Sequence, residues 1–320
     1  MAHAVLIAGH GSRDPDGIAE FLELVQRFRL RRPAWAVEAA FLEFARPTVQ
    51  EGIDRLAQAG ATGIVVLPGV LLAAGHAKND LASEVRLARE RYPQLDIRMG
   101  NALDVDADLL QLCRLRYREA LATRPAVEAE DTLLLLVARG SSDADANSTV
   151  AKVARFLQEG YPTGWAAWAY SGVARPLLEE ALPICERMGF RRLVVQPYFL
   201  FTGVLLKRIH AQAAVRQQAR PDLEIIVAPH LQAHPLLLDA FEQRLNEAMH
   251  GTAHMNCSLC QYRVPIIGRE DRLGEPQSAH HHHVEGLLGH THGAPAKIVA
   301  SEDPPGVHPW DEALLDRLRF

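Results

Sequence analysis

Four cysteines in 320 residues are too few for a disulfide scaffold at this length, and two of them, Cys113 and Cys185, stand singly within apolar helical patterns. No apolar run approaches the roughly 20 residues that a membrane span needs. The formal net charge is -5 and basic residues are spread along the chain, so nucleic acid and anionic membranes find no footprint here. Neither a G-x-x-x-x-G-K-[ST] nor a G-x-G-x-x-G sequence occurs, which excludes the common nucleotide loops. The start, Met-Ala-His-Ala-Val5, runs straight into an apolar segment without a basic leader, and the cytoplasm follows as the default location.

What the chain does have is alternation. Apolar strands are expected at Val5–Gly9, Trp35–Glu43, Gly63–Pro68 and Leu95–Met99. Between them lie helical patterns over Ala19–Phe28, from Pro47 through Leu56, from about Asp80 to Arg91, and from Asp106 to Ala122. This predicts a small doubly wound sheet. Acidic, proline-containing residues 124–131 interrupt the pattern as a linker, and then the first unit returns. Val5-Leu-Ile-Ala-Gly-His10-Gly-Ser-Arg-Asp14 aligns with Leu134-Leu-Leu-Val-Ala-Arg139-Gly-Ser-Ser-Asp143, Ala45-Arg46-Pro47 with Ala174-Arg175-Pro176, and Ile64–Pro68 with Leu193–Pro197. Every pair is 129 positions apart, and the offset falls to 128 at Pro93 and Pro221, before the fourth strand. So long a register implies duplication of one unit. The expected α/β architecture is two flavodoxin-like lobes, 1–123 and 132–250, each a four-stranded parallel sheet with helices on both faces, and a mostly irregular tail, 251–320. A ligand is expected in the cleft between the lobes.

The duplication acts as an internal control. Strand-end loops of the first lobe carry His10, Glu43 and His76, where the second lobe has Arg139, Gly172 and Leu205. Landmarks of the backbone, Gly11/Gly140, Arg46/Arg175 and Pro68/Pro197, survive in both copies. One lobe is therefore expected to be active and the other to have become a wall of the cleft. Carboxyl ends of strands in an open parallel sheet deliver residues to one rim. Two imidazoles and a carboxylate suit a divalent first-row metal, and they would equally serve as bases near pH 7. Insertion of a metal into a tetrapyrrole wants both, because two pyrrole N–H protons leave as the ion arrives.

Gly9-His10-Gly-Ser-Arg13, Phe41-Leu-Glu43 with Arg46-Pro47, and Gly75-His76 with Asp80 resemble the signature of the class II tetrapyrrole chelatases of cobalamin and sirohaem synthesis, in particular the long form of sirohydrochlorin cobaltochelatase. The likeness covers residues 1 to about 250, and the tail matches in kind. It implies that His10, Glu43 and His76 bind the metal and assist deprotonation. It also implies Co2+ as the substrate metal, with Fe2+ and Ni2+ as alternatives, and an ATP-independent lyase acting on sirohydrochlorin. The family's substrate carries eight carboxylates, so Arg13, Arg46, Arg139, Arg175, Lys207 and Arg208 become candidates for binding it, Arg139 foremost because its fork replaces a metal ligand. A reading of another class is a non-catalytic carrier of metal or tetrapyrrole. A second copy of the chain, as a homodimer, is a further candidate partner.

More than half of the fifteen histidines lie from His254 onward. Met255-Asn-Cys257-Ser-Leu-Cys260 holds one C-x-x-C, followed by His280-His281-His282-His283 among glycines and prolines, and Pro309–Arg319 has the pattern of a short amphipathic helix. Most of the tail is expected to be mobile. In the long chelatases such a C-x-x-C is associated with an iron–sulfur centre. With only Cys257 and Cys260 in this tail, a cluster would need ligands from two chains or from other residues, and a mononuclear site is the alternative. His280 to His283 are expected to store or deliver metal.

Overall fold

The computed structural model of the chain describes residues 3–253, 255–276 and 284. In the first lobe, strands β1 (His3–Gly9), β2 (Ala36–Phe41), β3 (Gly63–Gly69) and β4 (Asp96–Met99) alternate with helices α1 (Pro15–Arg31), α2 (Val49–Gln58), α3 (Ala82–Arg91) and α4 (Ala107–Leu121). The second lobe repeats this with β5 (Thr132–Ala138), β6 (Trp165–Tyr170), β7 (Arg192–Pro197) and β8 (Glu224–Val227), and with α5 (Ala144–Gly160), α6 (Leu178–Glu186), α7 (Val204–Ala219) and α8 (Pro235–His250). Both sheets are wholly parallel, with orders β2-β1-β3-β4 and β6-β5-β7-β8. The expected architecture is what forms.

Local chemistry explains most boundaries. Val5 to Ala8 are all buried because β1 has strands on both sides and helices over both faces, hence a continuous apolar run. Asp14 caps α1 by accepting from Asp16 N–H, Pro15 opens the helix, and Arg29 and Arg31 complement the dipole of its last turn. The face bearing Phe21, Leu24, Val25 and Phe28 is buried. Pro47, expected to open the next helix, instead precedes it. Thr48 and Glu51 form a capping box, with Glu51 accepting from Thr48 N–H at 2.8 Å, and this cap sets the start of α2 at Val49.

The largest departure from the sequence reading is where the last helix of each lobe packs. Expected to close its own sheet, α4 lies instead against α5 of the second lobe, and Gln196 on β7 donates to the carbonyl of Cys113. Reciprocally, α8 packs on β3, β4 and α1 of the first lobe. Phe28 meets Phe241 at 6.4 Å between ring centroids, Phe21 meets Phe201 at 5.6 Å, and Tyr117 meets Tyr161 at 4.5 Å. One apolar core therefore runs through both lobes. Each fully buried aromatic or aliphatic side chain in it contributes about 1.5–3 kcal/mol, so apolar burial outweighs the polar contacts that also cross.

The tail is irregular where it is described, as expected. Residues 255–276 form irregular chain with short 3-10 turns at Cys257–Leu259 and Glu270–Arg272, and Cys260 and Gln261 are buried. Burial of these two side chains seats this part of the segment against the rest of the chain. His280 to His283 and the helical pattern at 309–319 fall outside the described residues. No helix among the described residues is long and apolar enough to cross a membrane.

Candidate metal centre

Three adjacent strands end at one rim. His10 follows β1, Glu43 lies beyond the end of β2, and His76 follows the loop after β3. The chain ties the first two together through its backbone: Glu43 N–H donates to the His10 carbonyl at 2.9 Å. Gly11, at φ +91°, permits this approach, since a Cβ there would stand 1.8 Å from the Glu43 carbonyl oxygen. Gly140 has the same conformation and the same close approach to Gly172 in the other lobe. Survival of this glycine in both copies is thus a requirement of the fold, whereas the imidazole beside it is not.

One ligand atom from each of His10, Glu43 and His76 lies within 4.8 Å of the others, and among the described residues no other histidine, cysteine or carboxylate group gathers in this way. His10 Nδ1–H donates to the Gly11 carbonyl at 3.0 Å, and His76 Nδ1–H donates to Asp80 Oδ2 at 2.7 Å. With both Nδ1 atoms committed, both Nε2 lone pairs turn inward, 3.0 Å apart. An ion at the usual 2.0–2.1 Å from two nitrogens so spaced would see them at roughly a right angle, and Glu43 supplies a third side. Among the described residues Cys257 and Cys260 have no such company. Cys257 is exposed, taking a contact from Arg263 Nη1 at 2.7 Å, and Cys260 is buried.

Burial, with the charges of Arg139 and His76, lowers the pKa of His10 to about 4. Near pH 7 the His10 imidazole is therefore neutral.

His76 opens a π-helix, His76–Leu81, at the position where the second lobe has the regular start of α7. The lost register explains it. Ala77 and Leu81 are buried four positions apart, but their counterparts Leu206 and Ile209 only three apart. The offset changes from 129 to 128 between them, so the first lobe holds one extra residue at 79–80. One inserted residue is what converts an α-turn into a π-turn, a feature frequent at functional sites. Here it sets Asp80 beneath His76. The sequence carried that signal as the slip in the repeat, and Asp80 was visible only as a landmark. A tail residue was not foreseen at all: a Cβ on Gly75 would lie 3.2 Å from Tyr262 Oη, so the tail reaches over the start of the π-helix.

The cations fare unevenly. Arg139 is exposed, and its charge acts on both His10 and Glu43 across the lobes. The Arg13 guanidinium lies over the Phe44 ring at 5.0 Å. Three of the expected substrate-binding cations pair with carboxylates of the chain itself: Arg46 with Glu51, Arg175 with Glu180, and Lys207 with Asp14 and Asp16. Arg208 donates to the Ser171 carbonyl. The partners of Arg46 and Arg175 stand five residues on, in the first turn of the helix that follows, whereas those of Lys207 and Arg208 are distant in sequence and spacing along the chain does not reveal them.

The profile of the CbiX family matches residues 4–120 and again 133–248. A sirohydrochlorin cobaltochelatase of Priestia megaterium is 36% identical over 273 residues, 84% of this chain and 87% of that one. A sirohydrochlorin ferrochelatase of the same organism is 32% identical over 231 residues, 72% of this chain and 85% of its own length. Among solved structures, SirB from Bacillus subtilis with Fe3+ has a TM-score of 0.70 at 28% identity, covering 80% of this chain and 100% of that one. Because the family profile falls once on each copy of the repeat, what was duplicated is the family's own unit, and the chain belongs to the CbiX family of sirohydrochlorin chelatases.

Proposed function

We propose that this protein inserts Co2+ into sirohydrochlorin in cobalamin biosynthesis, with release of two protons and no nucleotide. The observation that carries this reading is the convergence of two inward Nε2 atoms and the Glu43 carboxylate opposite Arg139. The ion, as substrate, is held by these three groups, and Arg139 meets a carboxylate of the macrocycle. As the ion passes to the pyrrole nitrogens, each ligand it leaves recovers a lone pair. Two pyrrole protons must then be taken up. His10 is a weak acceptor, so the vacated His76 Nε2 and the Glu43 carboxylate receive one each, and Asp80 stabilises the imidazolium that forms.

Cobalt is preferred because the cobaltochelatase relative is more similar to this chain than the ferrochelatase relative and matches more of it. Histidine and carboxylate ligands also accept Fe2+, and the rival reading is a ferrochelatase of sirohaem synthesis. An absorbance assay with sirohydrochlorin and each of Co2+, Fe2+ and Ni2+ separates them. Fastest insertion of Co2+ is expected; faster insertion of Fe2+ overturns the cobalt assignment, and no spectral change with any ion overturns the chelatase reading in favour of a carrier. In the same assay, a chain ending at Pro276 keeps the described tail segment and lacks His280 to His283. Equal rates for both chains under scarce metal would remove metal delivery as the role of that histidine run. An iron–sulfur centre at Cys257 and Cys260 would require ligands beyond these two.

Asp80→Asn tests the π-turn's contribution. Loss of an outer carboxylate that orients a metal-binding histidine typically costs 10- to 100-fold in affinity, so calorimetric titration with Co2+ is expected to show a loss of about that size. An unchanged affinity would mean that Asp80 does not position His76.

A further inference from the structure

The lobes grip one another through two lysines that the duplication relates. Lys78 Nζ lies 2.9 Å from Asp143 Oδ2 and 2.9 Å from Asp145 Oδ2. Lys207, 129 positions on, lies 2.7 Å from Asp14 Oδ2 and 2.9 Å from Asp16 Oδ2. Asp14 and Asp143 are equivalent as well, each capping the first helix of its lobe and each donating its own N–H to a serine hydroxyl, Ser12 or Ser141. While the metal ligands of the second lobe were replaced, both halves of this reciprocal clamp were kept. A feature that persists in both copies, yet joins one copy to the other, serves their mutual placement.

The placement concerns the site. Lys78 is two residues from His76 within the π-helix, and its partners Asp143 and Asp145 belong to the loop and helix start that follow Arg139. Lys207 holds Asp14, which closes the loop begun by His10. Each clamp therefore joins one imidazole-bearing segment to the opposite lobe. We propose that Lys78 and Lys207 are positioning residues that hold the metal-binding rim and the Arg139 rim in register, so that the ion faces the centre of a macrocycle whose carboxylate is held by Arg139. This rests on the chelatase reading given above. A shift of about 1 Å in such a register costs up to roughly a hundredfold in rate without any loss of the reacting groups.

The two lysines differ in what their removal does to folding. The Lys78 side chain is 2% exposed, and deleting it would leave Asp143 charged and buried. The Lys207 ammonium is 56% exposed and Asp16 67%, so water reaches the place the ammonium leaves beside the buried Asp14 carboxylate, and the loss of stability is smaller than at Lys78. Lys207→Met is thus the informative variant, compared in the full chain with wild type and with Lys207→Arg. The measurements are kcat and KM for insertion of Co2+ into sirohydrochlorin, affinity for Co2+ alone, and the thermal midpoint. Lys207→Met is expected to keep its midpoint within a few degrees and its Co2+ affinity within about threefold, and to lose about tenfold in kcat/KM. Lys207→Arg, which keeps the charge and reach, is expected to recover most of that loss. Insertion by Lys207→Met at the wild-type kcat/KM overturns the proposal. So does a fall in Co2+ affinity as large as the fall in kcat/KM, since the clamp would then build the metal site and not the register. Wild-type protein that inserts no ion overturns the chelatase reading itself, and the positioning role falls with it.

Discussion

Replacing either His10 or His76 with alanine is expected to abolish metal insertion, with a loss of roughly a hundredfold or more, because removing a ligand exceeds the 10- to 100-fold cost of disturbing one from behind. On the proposed reading each substitution takes one of two Nε2 atoms from a three-ligand site, and among the described residues no other histidine, cysteine or carboxylate belongs to that group. On the proposed mechanism His76→Ala also removes a proton acceptor, whereas His10→Ala removes a group already held neutral near pH 7. Proton uptake should therefore be impaired more by His76→Ala, visible as a larger drop in kcat at saturating Co2+. Leu205→Ala, at the equivalent position of the second lobe, should keep most activity. Substantial insertion by either histidine variant, or loss of it in Leu205→Ala, would contradict the division of labour between the lobes.

Alanine at Gly11 is expected to be the most damaging substitution outside the ligands, and Gly60→Ala is its control. Both glycines have left-handed backbone, φ +91° and +85°. Strain from that conformation alone costs about 1–2 kcal/mol in each. Space separates them. A Cβ on Gly60 would meet nothing within 4 Å, whereas one on Gly11 would stand 1.8 Å from the carbonyl oxygen of Glu43. The clash is with backbone, so relief must move the chain that carries the third ligand. Denaturant titration is expected to show a loss of about 1–2 kcal/mol for Gly60→Ala and a clearly larger one for Gly11→Ala, with Co2+ affinity falling in Gly11→Ala only. Equal losses would mean that the Glu43 loop yields without effort.

The repeat made much of this site legible before any coordinates. Subtracting one copy from the other isolates His10, Glu43 and His76 as residues not needed by the fold, and strand order places them on one rim. Lys78 and Lys207 were open to the same comparison, since they too are 129 apart, but like residues in both copies look structural until the partners are seen to lie in opposite lobes. Arg46 and Arg175 show the converse limit. Their type suits anion binding, and the fold shows that Glu51 and Glu180 pair with them. Helix periodicity located α4 but not its host, because an apolar stripe specifies that a face is covered and not which sheet covers it. The slip from 129 to 128 was readable as a missing residue, yet a count of positions carries no dihedral angles and could not name a π-turn.

The crossed-over last helices change what a cut through the linker would do. Residues 1–123 alone would keep a four-stranded sheet but present α4 with no host, and would leave bare the face of β3 and β4 that α8 covers. Residues 132–250 would be stripped in the matching way. Such fragments are expected to behave as two halves of one split protein: prone to aggregate apart, because each exposes a contiguous apolar surface, and complementary together, reassembling through the helices each lends the other. The linker at 124–131 then supplies local concentration to an association that the two halves already specify.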